Sequence, residues 1–108
     1  MYQDVVVLCS ASKYTQKFYL NPDFDGLPEQ VKQELKIACV LFTEEVGGVI
    51  LFIYDEKGNL TITTEADEGD ILYDEIGAHL LVKRMRQEKR ELFEQLEQYY
   101  SAFFLNEE

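Results

Sequence analysis

The stretch that most constrains the fold is Gly47 to Glu65, GGVILFIYDEKGNLTITTE. Val49 to Tyr54 is an unbroken apolar run, and Leu60 to Thr64 reads Leu, Thr, Ile, Thr, Thr. Both runs suit a pleated surface better than a helix. Asp55-Glu56-Lys57-Gly58-Asn59 between them is turn chemistry. Gly58 takes φ > 0 without steric cost, so the spacing predicts a type I turn at Glu56-Lys57 that closes through Gly58. That turn sets Tyr54 opposite Leu60, Phe52 opposite Ile62 and Ile50 opposite Thr64 on one face, the expected core face. Leu51 with Thr63 and Ile53 with Thr61 fall on the other. A strand that is apolar on both faces is usually covered on both. A chain of 108 residues has little material to spare for that. Leu51 and Ile53 are therefore candidates for contact with a second copy or another protein.

Upstream, Val5 to Cys9 reads as a strand and Lys17 to Leu20 as another, with Phe18 and Leu20 on one face. The small polar link between them predicts a second hairpin. Asn21 to Gly26 is turn-forming throughout. Pro28 fits the first turn of a helix, where its missing N–H is no loss. Val31, Leu35, Ala38, Cys39, Phe42 and Val46 then recur at helical spacing, and Gly47-Gly48 ends the run. Ile37 to Phe42 is apolar nearly all round, so that half of the helix is expected to be buried on most sides. Downstream, Asp70 is a candidate N-cap. Leu72, Ile76, Leu80 and Leu81 begin an apolar pattern that continues through Met85, Leu92, Leu96, Tyr99 and Phe103. Gly77 and the charged stretch from Arg86 to Glu91 interrupt it. The expectation is a short helix over 71–77 and a long one from about Ala78 to Phe104. The order β-β-α-β-β-α predicts one α+β domain over residues 1–108, an antiparallel sheet with helices packed on it.

Hydrophobic residues make up 46% of the chain, with seven Tyr and seven Phe, so a packed core is expected despite the net charge of −11. No apolar stretch approaches the length of a membrane span. Met1 to Cys9 lacks the basic start of a signal peptide, and no membrane association is expected. These features point to a cytoplasmic protein. Cys9 and Cys39 sit in apolar runs and read as small buried hydrophobes.

The segments KFYLNPDF, LKIACVLFTEEVGG, TEADEGDILYDEIG and ELFEQLEQYY resemble a family of small acidic bacterial single-domain proteins of unknown function. The resemblance covers nearly the whole chain. It implies no activity and carries over no site residues.

Among candidate sites, His79 is the only histidine, with Glu75 four residues before it. One carboxylate and one imidazole fall short of a zinc site. Asp67, Glu68, Asp70, Asp74 and Glu75 form the densest acidic cluster. The EF-hand pattern fails there, because Ala66 would occupy a ligand position. No metal or other cofactor is expected. Lys83, Arg86 and Arg90 fall on one face of a continuous helix. The isoelectric point near 4.4 argues against nucleic acid as what they meet. No nucleotide-binding glycine motif or serine-nucleophile elbow is present, so no catalysis is expected. In the C-terminal helix, Leu92, Leu96, Tyr99 and Phe103 share a stripe that Phe93, Tyr100 and Phe104 widen.

The leading expectation is a small interaction or regulatory protein without catalysis, self-associating as a homodimer or binding a protein partner. Its candidate surface comprises Leu51, Ile53, Lys83, Arg86, Arg90, Asp67, Glu68 and Asp70. The alternatives are a small-molecule site or enzyme around His79 and the Asp67–Glu75 acids, and an immunity-type inhibitor that covers a basic partner.

Overall fold

The computed structural model describes residues 5–105. The first four residues, part of the start read above as lacking a leader, lie outside them. The elements are β1 (Val6–Ser12), β2 (Lys17–Leu20), α1 (Glu29–Val46), β3 (Val49–Tyr54), β4 (Leu60–Glu65), α2 (Glu75–Glu88) and α3 (Arg90–Phe104). A short 3-10 turn at Pro22–Phe24 links β2 to α1. The four strands form one antiparallel sheet in the order β2-β1-β3-β4. The fold is α+β, as expected.

The central hairpin has the predicted register. Tyr54 lies opposite Leu60, Phe52 opposite Ile62 and Ile50 opposite Thr64. Ile50, Phe52 and Tyr54 are fully buried. Gly58 has φ +87°, and its N–H donates to the Asp55 carbonyl at 3.0 Å. Asp55 stiffens the turn further, accepting from the Lys57 and Asn59 backbone N–H groups at 2.9 Å each. These bonds hold its carboxyl below the usual range, the Asn59 N–H contributing most.

β1 is longer than expected. Ser10, Ala11 and Ser12, read as link, continue the strand opposite Leu51, Ile50 and Val49. Ala11 is buried in the core, and the alternating Ser10 and Ser12 are half-buried. An irregularity between Val7 and Cys9 shifts the β1–β3 register and leaves both Leu8 and Cys9 buried. Cys9 on β1 and Cys39 on α1 meet inside, Sγ to Sγ 3.9 Å, unbridged. Contact with Cys39 and burial together push the Cys9 thiol up.

The core lies between one face of the sheet and the helices. α1 packs on β1, β2 and β3, and α3 on β4. Gly47 and Gly48, both at positive φ, turn the chain from α1 into β3. A Cβ on Gly48 would meet the Glu65 carbonyl oxygen at 2.5 Å and the Tyr73 ring at 2.8 Å. At the other end of β3 the aromatics gather. Tyr54 stacks on Tyr100 at 4.1 Å, and Phe24 stands within 5.7 Å of Tyr54 and 4.9 Å of Phe104. The Tyr54 hydroxyl donates to the Leu96 carbonyl at 2.9 Å.

The C-terminal half departs from expectation at two points. Asp70 does not cap a helix over 71–77. Asp74 is the N-cap of α2, its carboxylate accepting from the Gly77 N–H at 2.8 Å. Gly77 belongs to that first turn, and a side chain there would collide with the Asp74 carboxylate. Of the two interruptions read from sequence, the helix breaks at the second: Lys89, within the charged stretch from Arg86 to Glu91, leaves helical geometry at φ −113°, ψ 31°. The bend aims α2 at α1 and α3 at the sheet. Arg84 and Glu88, and Arg90 and Glu94, stand four residues apart in sequence, but neither couple forms an ion pair. Among the described residues the ion pairs are Lys13–Glu44, Lys32–Asp25 and Lys89–Glu34.

Candidate interaction surface

The faces of α1 and α2 were misjudged from sequence, and the error exposes the surface of most interest. α2 turns Ala78, Leu81, Val82 and Met85 towards the core. Ile76 and Leu80 face solvent at 76% and 58% exposure, and the preceding Ile71 and Leu72 at 92% and 87%. On α1, Ile37 and Leu41 are 55% and 61% exposed, although that half-helix was expected to be buried on most sides. The sheet covers only one side of α1, and α2 covers only part of a second.

The two helices run antiparallel. One end is tied by the Asp74 N–H to the Val46 carbonyl at 3.0 Å, the other by the Lys89–Glu34 ion pair at 3.3 Å. A groove of about 170 Å³ separates the helices. Ala38, Phe42, Leu81 and Met85 line it, and Leu41, Glu45, Arg84 and Glu88 flank them. The six exposed aliphatics, called the aliphatic row below, fall on α1, on α2 and on the loop just before α2.

That loop is held in place. The Tyr14 hydroxyl donates to the Asp70 carboxylate at 2.5 Å and accepts from the Asp67 N–H at 2.9 Å. The bond to Asp70 pushes the Tyr14 phenol up. Asp70 also accepts from the Leu72 N–H at 3.0 Å. Sequence reasoning placed Tyr14 in a featureless link. Nothing local marks it, because its partners lie more than 50 residues away.

The expected basic stripe is divided. Arg86 turns to the sheet edge, donating to the Leu60 carbonyl at 3.2 Å and lying over the Phe93 ring at 5.9 Å. Glu97 accepts from the Leu60 N–H at 2.8 Å, so two side chains seal that end of β4. The bend at Lys89 moves Arg90 onto α3, away from the α2 face. Lys83 remains exposed on α2. Asp67 and Glu68 are exposed and Asp70 half-buried.

On the opposite face of the sheet Leu51 and Ile53 are half-buried, with Tyr19 at 49% and Val5 at 44% exposure around them. α3 does not fold back over this face. Its buried line, Leu92, Phe93, Leu96 and Tyr100, packs on the core side, and Phe103, expected to share the inward stripe, is exposed.

His79 is exposed on α2. Two clefts lie elsewhere, one of about 350 Å³ between α1 and the β1–β2 hairpin and one of about 400 Å³ beside the α2–α3 bend. Neither these nor the α1–α2 groove is lined by His79 or by the Asp67–Glu75 acids. No group of three or more His, Cys, Asp or Glu side chains among the described residues is arranged to hold a metal ion. No helix among them is long and apolar enough to cross a membrane.

Compared with known families, residues 5–108 match the model described as a family of unknown function, DUF6145. The chain belongs to the DUF6145 family. No curated protein and no solved structure matches it. Membership in DUF6145 agrees with the resemblance to a family of unknown function and leaves the function to be argued from the surface itself.

Proposed function

We propose that this DUF6145 chain is a cytoplasmic protein-interaction domain without catalysis. The observation that carries this reading is the row of six aliphatic side chains, each more than half exposed, on α1, α2 and the loop between β4 and α2. Burying one such side chain completely is worth roughly 1.5–3 kcal/mol. A single exposed Leu is ordinary, but six exposed aliphatics on neighbouring elements, interspersed with charge, favour an association site. The surrounding structure holds the row in place: Asp74 fixes the start of α2, and Tyr14 pins the loop.

Site-specific photo-crosslinking in the native cell tests the proposal. A crosslinker at Leu72 or Leu80 should capture a discrete protein, and one at Lys57 on the far hairpin turn should not. Equal and diffuse labelling at all three positions would contradict it. Capture of a basic protein would favour the inhibitor form of the same reading.

A further inference from the structure

We infer that the protein covering the row is a second copy of the chain, docked with α2 antiparallel to its counterpart about a two-fold axis near the Ile76–Leu80 midpoint. This rests on the interaction reading above and names the partner. Two observations lead to it.

The first is the position of the apolar residues. Ile76 and Leu80 lie one turn apart on the solvent face of α2, so a two-fold axis between them sets Ile76 of each copy against the other's Leu80. A two-fold contact must be self-complementary, and this pairing is. Leu41, on the α1 side of the groove, widens the contact.

The second is the charge along the same strip. Its N-terminal end is acidic, with Asp67, Glu68 and Glu75 exposed. Towards its C-terminal end Lys83 and Arg84 are exposed on α2, followed by one exposed acid, Glu88. Neither Lys83 nor Arg84 forms an ion pair among the described residues. Antiparallel docking places each acidic end beside the other copy's Lys83 and Arg84, twice over. Parallel docking would set like charges together. Net charge does not oppose the contact locally. Residues 67–90 hold six carboxylates and five bases, so almost all of the −11 excess lies outside the strip. A uniformly basic partner would match only the acidic half, and a uniformly acidic one only the other. A second copy matches both.

Sedimentation equilibrium on the full chain at micromolar concentration tests this with a charge-swap set, using circular dichroism to check that each variant folds. Wild type should be dimeric. Leu80→Glu should be monomeric, since the site is exposed and the fold should tolerate it. Lys83→Glu/Arg84→Glu and Glu68→Lys/Glu75→Lys should each weaken self-association at least roughly tenfold. Mixing those two charge variants should restore a heterodimer, because each then presents what the other lacks. A monomeric wild type overturns the inference. So does a dimer that survives Leu80→Glu, or one lost only on Leu51→Glu/Ile53→Glu, which would place the contact on the sheet. The interaction reading fails separately. A monomeric wild type whose Leu72 and Leu80 crosslinkers capture a different protein keeps that reading and removes the homodimer.

Discussion

α2 and α3 are consecutive helices with comparable apolar content, and they use it in opposite ways. α3 spends its apolar side chains inward. Phe93 meets Phe52 edge-on at 5.6 Å, Leu96 is 1% exposed, and Tyr100 stacks on Tyr54. α2 commits a smaller set, centred on Ala78, and leaves Ile76 and Leu80 in solvent. The difference follows from what each helix packs against. α3 lies on the sheet, a broad apolar surface that takes a wide arc. α2 lies along α1, a cylinder that takes only a narrow line of contact. α2 therefore leaves large apolar side chains in solvent along its first half, whereas α3 does so only at its end, at Phe103 and Phe104.

The same substitution in the two regions should separate them. Phe52→Ala removes the side chain on which α3 packs and should cost about 3–5 kcal/mol in chemical denaturation. Leu96→Ala should cost about 2–5 kcal/mol. Leu80→Ala, chemically identical, should change monomer stability by no more than about 0.5 kcal/mol. Equal losses at Leu80 and Leu96 would mean that α2 is buried on the face assigned here to solvent.

Two hydrogen bonds sharpen the contrast. Tyr54→Phe removes the hydroxyl that donates to the Leu96 carbonyl and should cost about 1 kcal/mol, read as a shift in the denaturation midpoint. Asp74→Ala removes the cap that starts α2 and should cost about 1 kcal/mol. Its loss should appear first as faster hydrogen exchange in the opening turn of α2, with α3 unaffected. Exchange that rises equally in both helices would show that they unfold as a unit.

The smallest effect concerns the hairpin turn, far from the aliphatic row. The Asp55 carboxyl is held below its usual range in the folded state, chiefly by the Asn59 N–H. Its stabilisation is therefore complete above the ordinary carboxylate range and declines as pH falls through the folded-state value. Asp55→Asn should flatten the acid limb of the stability curve slightly. An unchanged acid limb would show that these bonds do not favour the ionised form.

The hairpin was legible in sequence because two independent signals agree there. Gly58 fixes the turn, and a one-residue slip would put Phe52 and Tyr54 on the wrong face. The helical faces were not legible for a specific reason. Leu72, Ile76 and Leu80 make one apolar stripe at helical spacing, while Ala78, Leu81, Val82 and Met85 make another. Periodicity alone favours the bulkier stripe for the interior. The bond from Asp74 to Val46 and the line of α1 decide otherwise, and both depend on contacts distant in sequence. Ile37 and Leu41 were misread likewise, because an all-apolar half-helix does not reveal which side lacks a neighbour. Of the candidate surface, the acidic loop was visible as composition. Its attachment to Tyr14 and the diversion of Arg86 to Leu60 were not, since each joins residues far apart in the chain.

The central claim is that the aliphatic row becomes covered when the protein associates. Hydroxyl-radical footprinting at Leu72, Ile76 and Leu80, followed by mass spectrometry from low micromolar to submillimolar protein, measures that cover directly. The account predicts that labelling of these three residues falls as concentration rises, while Tyr19 on the open sheet face keeps its labelling. Labelling of the row that stays constant while protection develops at Leu51, Ile53 and Tyr19 would contradict it.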